Sequence, residues 1–307
     1  MNRSPLQIIA GTRVTDAMLV GTNLAETEHA AYNGSATYNK GSRVIHQHVI
    51  YESVQDGNTG HTPGALDSGQ WWGKVGPTNK WAAFDLSSST KALMTGDSYF
   101  ELRSGQSISS VMLINCAGIE SVRLRLIEDG VIHFDQLHSM ASVMSEPTWY
   151  SWFFDSRVNK TRLIVSDLPA RPLATLRIDI YPIGGETASV GTVQFGRSYK
   201  VGVGVKTGVT LERLDFSSAE ENKYTGEIDY LMPRPPGKRQ QLTVVLDPAE
   251  FDSTDALLDR LVGLPCMFIV PGPFKALSLW GYLPGSSQSV PYVNAPELNI
   301  TIRGFPQ

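Results

Sequence analysis

Cysteine is scarce in this 307-residue chain: Cys116 and Cys266 are the two, far apart in sequence and each inside an apolar run. Two cysteines do not make a disulfide framework, and without C-x-x-C spacing they form neither a zinc ribbon nor a redox pair. Both are expected as reduced core thiols. Long apolar runs are also missing. Nothing approaches the ~20 consecutive apolar residues that a spanning helix requires, and the opening M-N-R-S-P-L-Q-I-I-A-G-T has too short an apolar stretch for a secretory signal. Membrane insertion is therefore not expected, the product is expected to stay in the cytoplasm of its maker, and the N-x-S/T triplets at Asn33, Asn159 and Asn299 read as chance matches. A basic excess is lacking as well. The formal charge is -4 and the pI near 5.9, which argues against a free-standing nucleic-acid binder. The compact basic cluster Arg234, Lys238 and Arg239 reads as a solvated linker, or as the lining of a channel if copies ring one that passes nucleic acid.

Motifs for catalysis are equally sparse. The G-x-S-x-G elbow that presents an acyl-transfer nucleophile is absent. His46 and His48 form an H-x-H pair read as one strand face, with His61 in the following loop as a conceivable third metal ligand; polar alternation is the commoner meaning of such a pair, and no metal is expected. G-V-G-V-K-T-G at 202–208 has the glycines of a phosphate loop but runs into V-T-L-E-R-L with strand alternation, so its glycines are expected to permit bulges and close strand approach. Asp97, Glu101, Glu128, Asp129, Asp135, Asp155 and Asp179 supply acids to the middle of the chain, yet none lies in a glycosidase motif, where two carboxyls ~5 to 9.5 Å apart are needed. No catalytic residue and no cofactor is expected.

Composition is that of a folded globular protein, with 41% hydrophobic and 18% charged residues. Length allows two or three domains. Residues 1–29 hold two short apolar stretches and read as a leading arm or edge strand. From 30 to 76, Tyr38, Val44, Val49 and Tyr51 sit in short alternating runs joined at Gly41, Gly57, Gly60 and Gly64, which predicts a small β unit. Its aromatics Tyr32, Tyr38, Tyr51, Trp71 and Trp72 have two readings. Flat rings stack on the apolar faces of sugars, whereas a unit this small also recruits large rings as core.

Between 77 and 223 regularly spaced strands predict an antiparallel sandwich of jelly-roll type: Tyr99 to Arg103, Val111 to Ile114, Val122 to Leu126, Leu163 to Val165 and Leu176 to Ile180. In S-V-R-L-R-L-I-E-D-G-V-I-H-F-D, Leu124 and Leu126 are expected inward and Arg123 and Arg125 outward. Asp129-Gly130 turns the chain into a strand where Ile132 and Phe134 alternate likewise. From 224 to 307, P-R-P-P-G reads as a stiff connector into the strand 242–246. The one convincing helix follows, with Asp252 or Ser253 as N-cap, a stripe of Leu257, Leu258 and Leu261, and a stop at Gly263 and Pro265. Strands C-M-F-I-V, L-S-L-W-G-Y and L-N-I-T-I-R complete a small α+β unit.

Two resemblances bear on function. T-Y-x-x-G-x-x-V at 37–44, V-I-Y-E-S at 49–53, G-N-T-G-H-T-P at 57–63 and Trp71-Trp72 resemble small carbohydrate-binding modules of the chitin-binding kind. That likeness implies sugar contact by Tyr32, Tyr38, Tyr51, Trp71 and Trp72. The segments P-L-Q-I-I-A-G-T-R-V-T-D-A-M-L-V-G-T-N-L-A-E, A-A-Y-N-G-S-A-T-Y, Y-E-S-V-Q-D-G-N-T-G-H-T-P-G and W-W-G-K-V-G-P-T-N-K-W-A-A-F-D are similar to tail-tip and baseplate proteins of long-tailed bacteriophages. The C-terminal order of strand, helix and strands resembles the ring-forming domain of distal tail proteins. The resemblance implies a virion structural protein, not an enzyme, assembled in the host bacterial cytoplasm as a homo-oligomeric ring or collar. Its implied partners are tail-tube and baseplate proteins and host surface polysaccharide. A glycan-degrading enzyme and a soluble carbohydrate-binding protein are the alternatives.

Overall fold

A computed structural model describes residues 4–85, 87, 90–141, 149, 159–221, 225, 228–234, 236–272, 274–292 and 295–305. The candidate acid Asp155 and Pro235 of the expected connector lie outside these. Strands hold 51% of the residues and helices 9%, so the fold is mainly β, as the runs of β-branched and aromatic residues dictate.

Two antiparallel sheets build the middle of the molecule. The first has five strands in the order Val131–Ser139, Ile119–Glu128, Thr175–Pro182, Ser98–Leu102 and Leu19–Thr22. The second has three: Arg162–Ser166, Ser110–Ile114 and Thr192–Gly196. Phe100, Leu124 and Ile178 from the first join Leu113, Leu163 and Phe195 from the second in one buried core. The three-stranded sheet is apolar on both faces. Val111 and Leu113 enter the sandwich core, while Met112 and Ile114 point the other way onto Ile9, Met267 and Trp280 of a larger sheet. A strand covered on both sides must read as a continuous apolar run, and V-M-L-I at 111–114 does.

The larger sheet has eight antiparallel strands, and its pairing crosses the expected domain boundaries. Leu6–Ala10 lies inside it, between Ser198–Val201 and Cys266–Ile269, so this stretch is neither a free arm nor an edge. Leu19–Thr22 is an edge strand, on the five-stranded sheet. Strands at 198–214 also belong to the large sheet, on the N-terminal side of the boundary expected at 223. Alternation locates a strand but does not name its neighbour, and Leu6–Ala10 finds its neighbours far along the chain, Leu6 opposite Val201 and Gln7 opposite Ile269.

Helix α1 (Phe251–Leu261) covers the other face of this sheet. Leu258 and Leu261 are buried against Leu242, Phe268 and Ile300, and Leu257 packs beside them, so the expected stripe is correct. Gly263 has φ +77°, the left-handed residue that ends the helix. The expected cap is not. A 3-10 turn at Pro248–Glu250 precedes the helix, and Asp247 accepts from the Ala249 amide at 2.9 Å. Ser253 instead donates to the Glu250 carbonyl at 2.9 Å. Proline at the first position of that turn draws the start upstream.

The hairpin at Asp129-Gly130 forms with both residues at positive φ, 50° and 80°, and Leu124 and Leu126 are buried. Ile132 departs from expectation and is half exposed. Leu126 pairs with Phe134 but Ile127 with Ile132, so a bulge accommodates His133 and turns Ile132 to the outer face. Gly202, at φ +70°, allows the close approach expected of the 202–208 glycines: a Cβ there would lie 2.4 Å from the Val245 carbonyl oxygen.

Candidate functional site

Residues 30–77 form the small β unit. Its three-stranded sheet orders Arg43–His46, Val49–Ser53 and Trp72–Pro77, and Thr37–Tyr38 pairs with Asn58–Thr59. Aliphatic burial inside it is slight: Val44 and Pro63 are the buried aliphatic side chains between 30 and 77. Cross-strand pairing puts Val44, His46, Tyr51, Ser53 and Trp72 on one face.

Three of the five candidate rings close over that face. Trp72 is 3% exposed and donates its indole N–H to the His61 carbonyl at 2.6 Å. The Tyr32 centroid lies 5.9 Å from Trp72 at 89° and 6.0 Å from Tyr38, and Tyr38 meets Trp72 edge-on at 5.2 Å. The Tyr38 hydroxyl accepts from the Asn33 amide at 2.8 Å and donates to the Asn33 carbonyl at 3.2 Å, which pins the opening loop. Edge-to-face rings of this kind give a small unit the apolar area that its few aliphatics cannot.

Trp71 goes elsewhere. Half-buried, it stacks on His61 with centroids 3.9 Å apart and planes 11° from parallel. Its carbonyl accepts from the Val54 amide at 3.0 Å and from the buried Asn58 side chain at 3.3 Å. Tyr51 is also half-buried, with its hydroxyl over Gly64, where a Cβ would come within 2.8 Å of it. Trp71 thus lies apart from the Tyr32, Tyr38 and Trp72 cluster, whereas Tyr51 shares the sheet face of Trp72.

The H-x-H pair does not form one strand face. His46 ends its strand and packs edge-on to Tyr32 at 5.6 Å, whereas Gln47 and His48 make the hairpin turn with φ +47° and +65°. A two-residue hairpin favours this geometry to match the strand twist, and usually spends Asn or Gly on it. His61 is stacked on Trp71, so the three histidines diverge. Among the described residues no group of three His, Cys, Asp or Glu is arranged to hold a metal ion.

His48 reaches two carboxylates that sequence reasoning passed over. Its Nδ1 lies 2.9 Å from Glu26 Oε1 and its Nε2 3.1 Å from Asp16 Oδ2. The Thr78 hydroxyl donates to Glu26 Oε1 at 2.8 Å, the Thr78 amide donates to the His48 carbonyl at 2.9 Å, and the Trp81 ring covers the imidazole at 4.5 Å. Burial pulls the His48 pKa down, but the hydrogen bonds to Glu26 and Asp16 outweigh it and the net shift is upward. The turn conformation is the only sequence-local sign of this site, since the carboxylates come from a segment 22 and 32 positions earlier.

The acids of the sandwich are mostly spoken for. Arg177 bridges Glu101 at 2.7 Å and Asp179 at 2.9 Å, and Arg125 holds Asp179 at 2.6 Å. Asp135 pairs with Arg123 at 2.6 Å, and Glu128 lies 3.4 Å from Arg171. Asp129 is in the hairpin turn, and the Asp97 carbonyl accepts from Asn23. Arg177 also sits 4.2 Å above the Tyr99 ring. The result is a charge ladder across the outer face of the five-stranded sheet. Cys116 and Cys266 are buried and unbonded, and burial pushes both thiols up to about 12, which leaves little thiolate for chemistry. Among the described residues no helix is long and apolar enough to cross a membrane.

No protein family, no curated protein and no solved structure matches this chain.

Proposed function

We propose that this chain is a structural component of a long-tailed bacteriophage virion, in the tail tip or baseplate, where it joins tail to tip and contacts host surface glycans. The sequence resemblance motivates the reading, and one structural observation carries it further. Strand Leu279–Tyr292 pairs with Cys266–Ile269 only through Leu279, Trp280 and Gly281, and its remaining eleven positions have just Ala295–Gly304 beside them among the described residues. The projecting edge is exposed and ends on Val290 and Tyr292. Unpaired backbone donors and acceptors along such an edge are a template for another chain. A contact between this edge and a different surface of the next copy is heterologous, the kind that closes rings.

In this reading the five-on-three sandwich is a jelly-roll and the eight-stranded sheet with its helix attaches to the tail tube. The 30–77 unit projects toward the host. Tyr32, Tyr38 and Trp72 build that unit, and Trp71 with Tyr51 meets sugar. Weak sugar contacts repeated around a ring gain from effective concentration, so a shallow site suffices.

Peptide mass spectrometry on purified phage particles tests the reading by quantifying this chain against the major tail-tube protein. A fixed low copy ratio is expected of a tip ring. Absence from particles overturns it.

A further inference from the structure

The eight-stranded sheet has a second solvent-facing region, beside the projecting edge. On the face that carries Ile9, Met267 and Trp280, the three-stranded sheet covers one half. The other half is open and polar. Gln241 lies opposite Thr301 and Thr210, and Thr243 opposite Asn299, which is itself opposite Ser287. Partners in register share a face, so hydroxyls and amides from four strands converge there over a hollow of about 700 Å³. A second hollow of about 560 Å³ adjoins it, and Arg239, Pro284 and Thr301 line both.

Arginine makes this junction unusual. Arg239 and Arg303 are directly opposite each other on neighbouring strands, an arrangement of like charges that costs stability. Neither forms an ion pair among the described residues. Arg303 lies over the Phe216 ring at 5.9 Å. Glu212 is opposite Arg239 on its other side without bridging it, and the Asp215 carboxylate on the rim accepts from the Ser217 amide at 2.8 Å. Two exposed guanidiniums side by side, with no ion pair of their own among the described residues, are arranged for an anion that both can grip.

We infer that this cleft binds an acidic, polyhydroxylated chain, a glycan bearing carboxylate or phosphate groups, with the anionic group on Arg239 and Arg303 and sugar hydroxyls on the Gln241, Thr243, Asn299 and Thr301 row. The Thr243 hydroxyl donates to Asn299 Oδ1 at 2.7 Å, which leaves the Asn299 amide hydrogens for a ligand oxygen. Single-stranded nucleic acid fits less well. It needs a succession of rings to stack bases, and Phe216 is the aromatic side chain lining the two hollows.

The inference does not depend on the virion reading, because glycan binding and particle incorporation are measured separately. Calorimetry on the full chain, with tetragalacturonate as acidic probe and cellotetraose as neutral probe, tests it. Tetragalacturonate should bind roughly tenfold more tightly than cellotetraose, with affinity falling as salt is raised. The Arg239→Gln, Arg303→Gln double variant should lose the preference at an unchanged melting temperature, and Arg260→Gln, an exposed arginine in the last turn of the helix on the opposite face of the sheet, should keep it. If the double variant fails to fold, Arg239→Gln alone provides the same reading. No binding, equal binding of both probes, a preference that survives loss of the arginines, or its loss with Arg260→Gln each overturns the assignment. Tighter binding of oligothymidylate than of tetragalacturonate overturns the glycan class.

Discussion

The imidazole of His48 faces Glu26 with Nδ1 2.9 Å from Oε1, joining the turn of the small β unit to a segment that precedes it by 22 positions. Asp16 meets the other ring nitrogen at 3.1 Å. A non-glycine residue in left-handed conformation costs roughly 1 to 2 kcal/mol, and His48 accepts that cost while holding both carboxylates.

This contact makes the attachment of residues 30–77 depend on pH. The folded pKa of His48 is raised, so its stabilising contribution is complete below the unfolded value of ~6.5 and is lost as pH climbs through the folded value. The protection factors of the Gln47 to Val49 amides, that is, exchange corrected for its intrinsic base-catalysed rise with pH, should therefore fall above neutrality in the native chain. In His48→Leu they should be low throughout and insensitive to this window. Equal protection at pH 6 and pH 8.5 in the native chain would contradict the coupling.

Gln47, at φ +47° and exposed, bears turn strain with no visible recompense. Replacing it by Asn, which enters this conformation more readily, should stabilise the unit by up to about 1 kcal/mol. Denaturant unfolding followed by tryptophan fluorescence measures the gain.

Adjacent tryptophans should behave differently. Trp72→Ala removes the centre of the ring cluster and should cost about 3 to 5 kcal/mol in the small unit. Trp71→Ala should cost far less and should abolish retention on an insoluble glycan such as chitin if this ring meets sugar. Thermal melts and a pull-down on both variants separate the roles.

Both thiols should resist alkylation. With pKa values pushed up to about 12 and no solvent access, Cys116 and Cys266 should react with iodoacetamide only when the chain opens. Labelling that tracks denaturant concentration is the expected result, and rapid labelling of the native protein would contradict the burial.

Gly196 joins two layers. A Cβ there would fall 2.1 Å from the Ala10 carbonyl oxygen, so Gly196→Ala forces the sandwich strand away from Leu6–Ala10 and should cost about 1 to 3 kcal/mol. Its melting temperature, compared with that of a Gly76→Ala control, where a Cβ meets nothing within 4 Å, provides the check.

What was legible in the residues is local. Asp129-Gly130 requires a tight hairpin because both positions need positive φ; Gly263 stops a helix because a left-handed residue satisfies its last carbonyls. Leu124, Leu126, Leu258 and Leu261 announce their burial by spacing alone, as do the two cysteines by their apolar surroundings. The five aromatics were visible as a set but not as two groups. Nothing in the spacing separates Trp72, sealed under Tyr32 and Tyr38, from Trp71, stacked on His61.

Tertiary structure decided the rest. Alternation states which side of a strand is apolar, yet backbone hydrogen bonds are alike for every strand, so Leu6–Ala10 carries no mark of Cys266–Ile269 as its neighbour. Shape complementarity between distant faces selects that partner. The same reason hides the His48 site and the Arg239 to Arg303 junction: each joins side chains whose charges are ordinary in sequence and become informative only when the completed sheets bring them together.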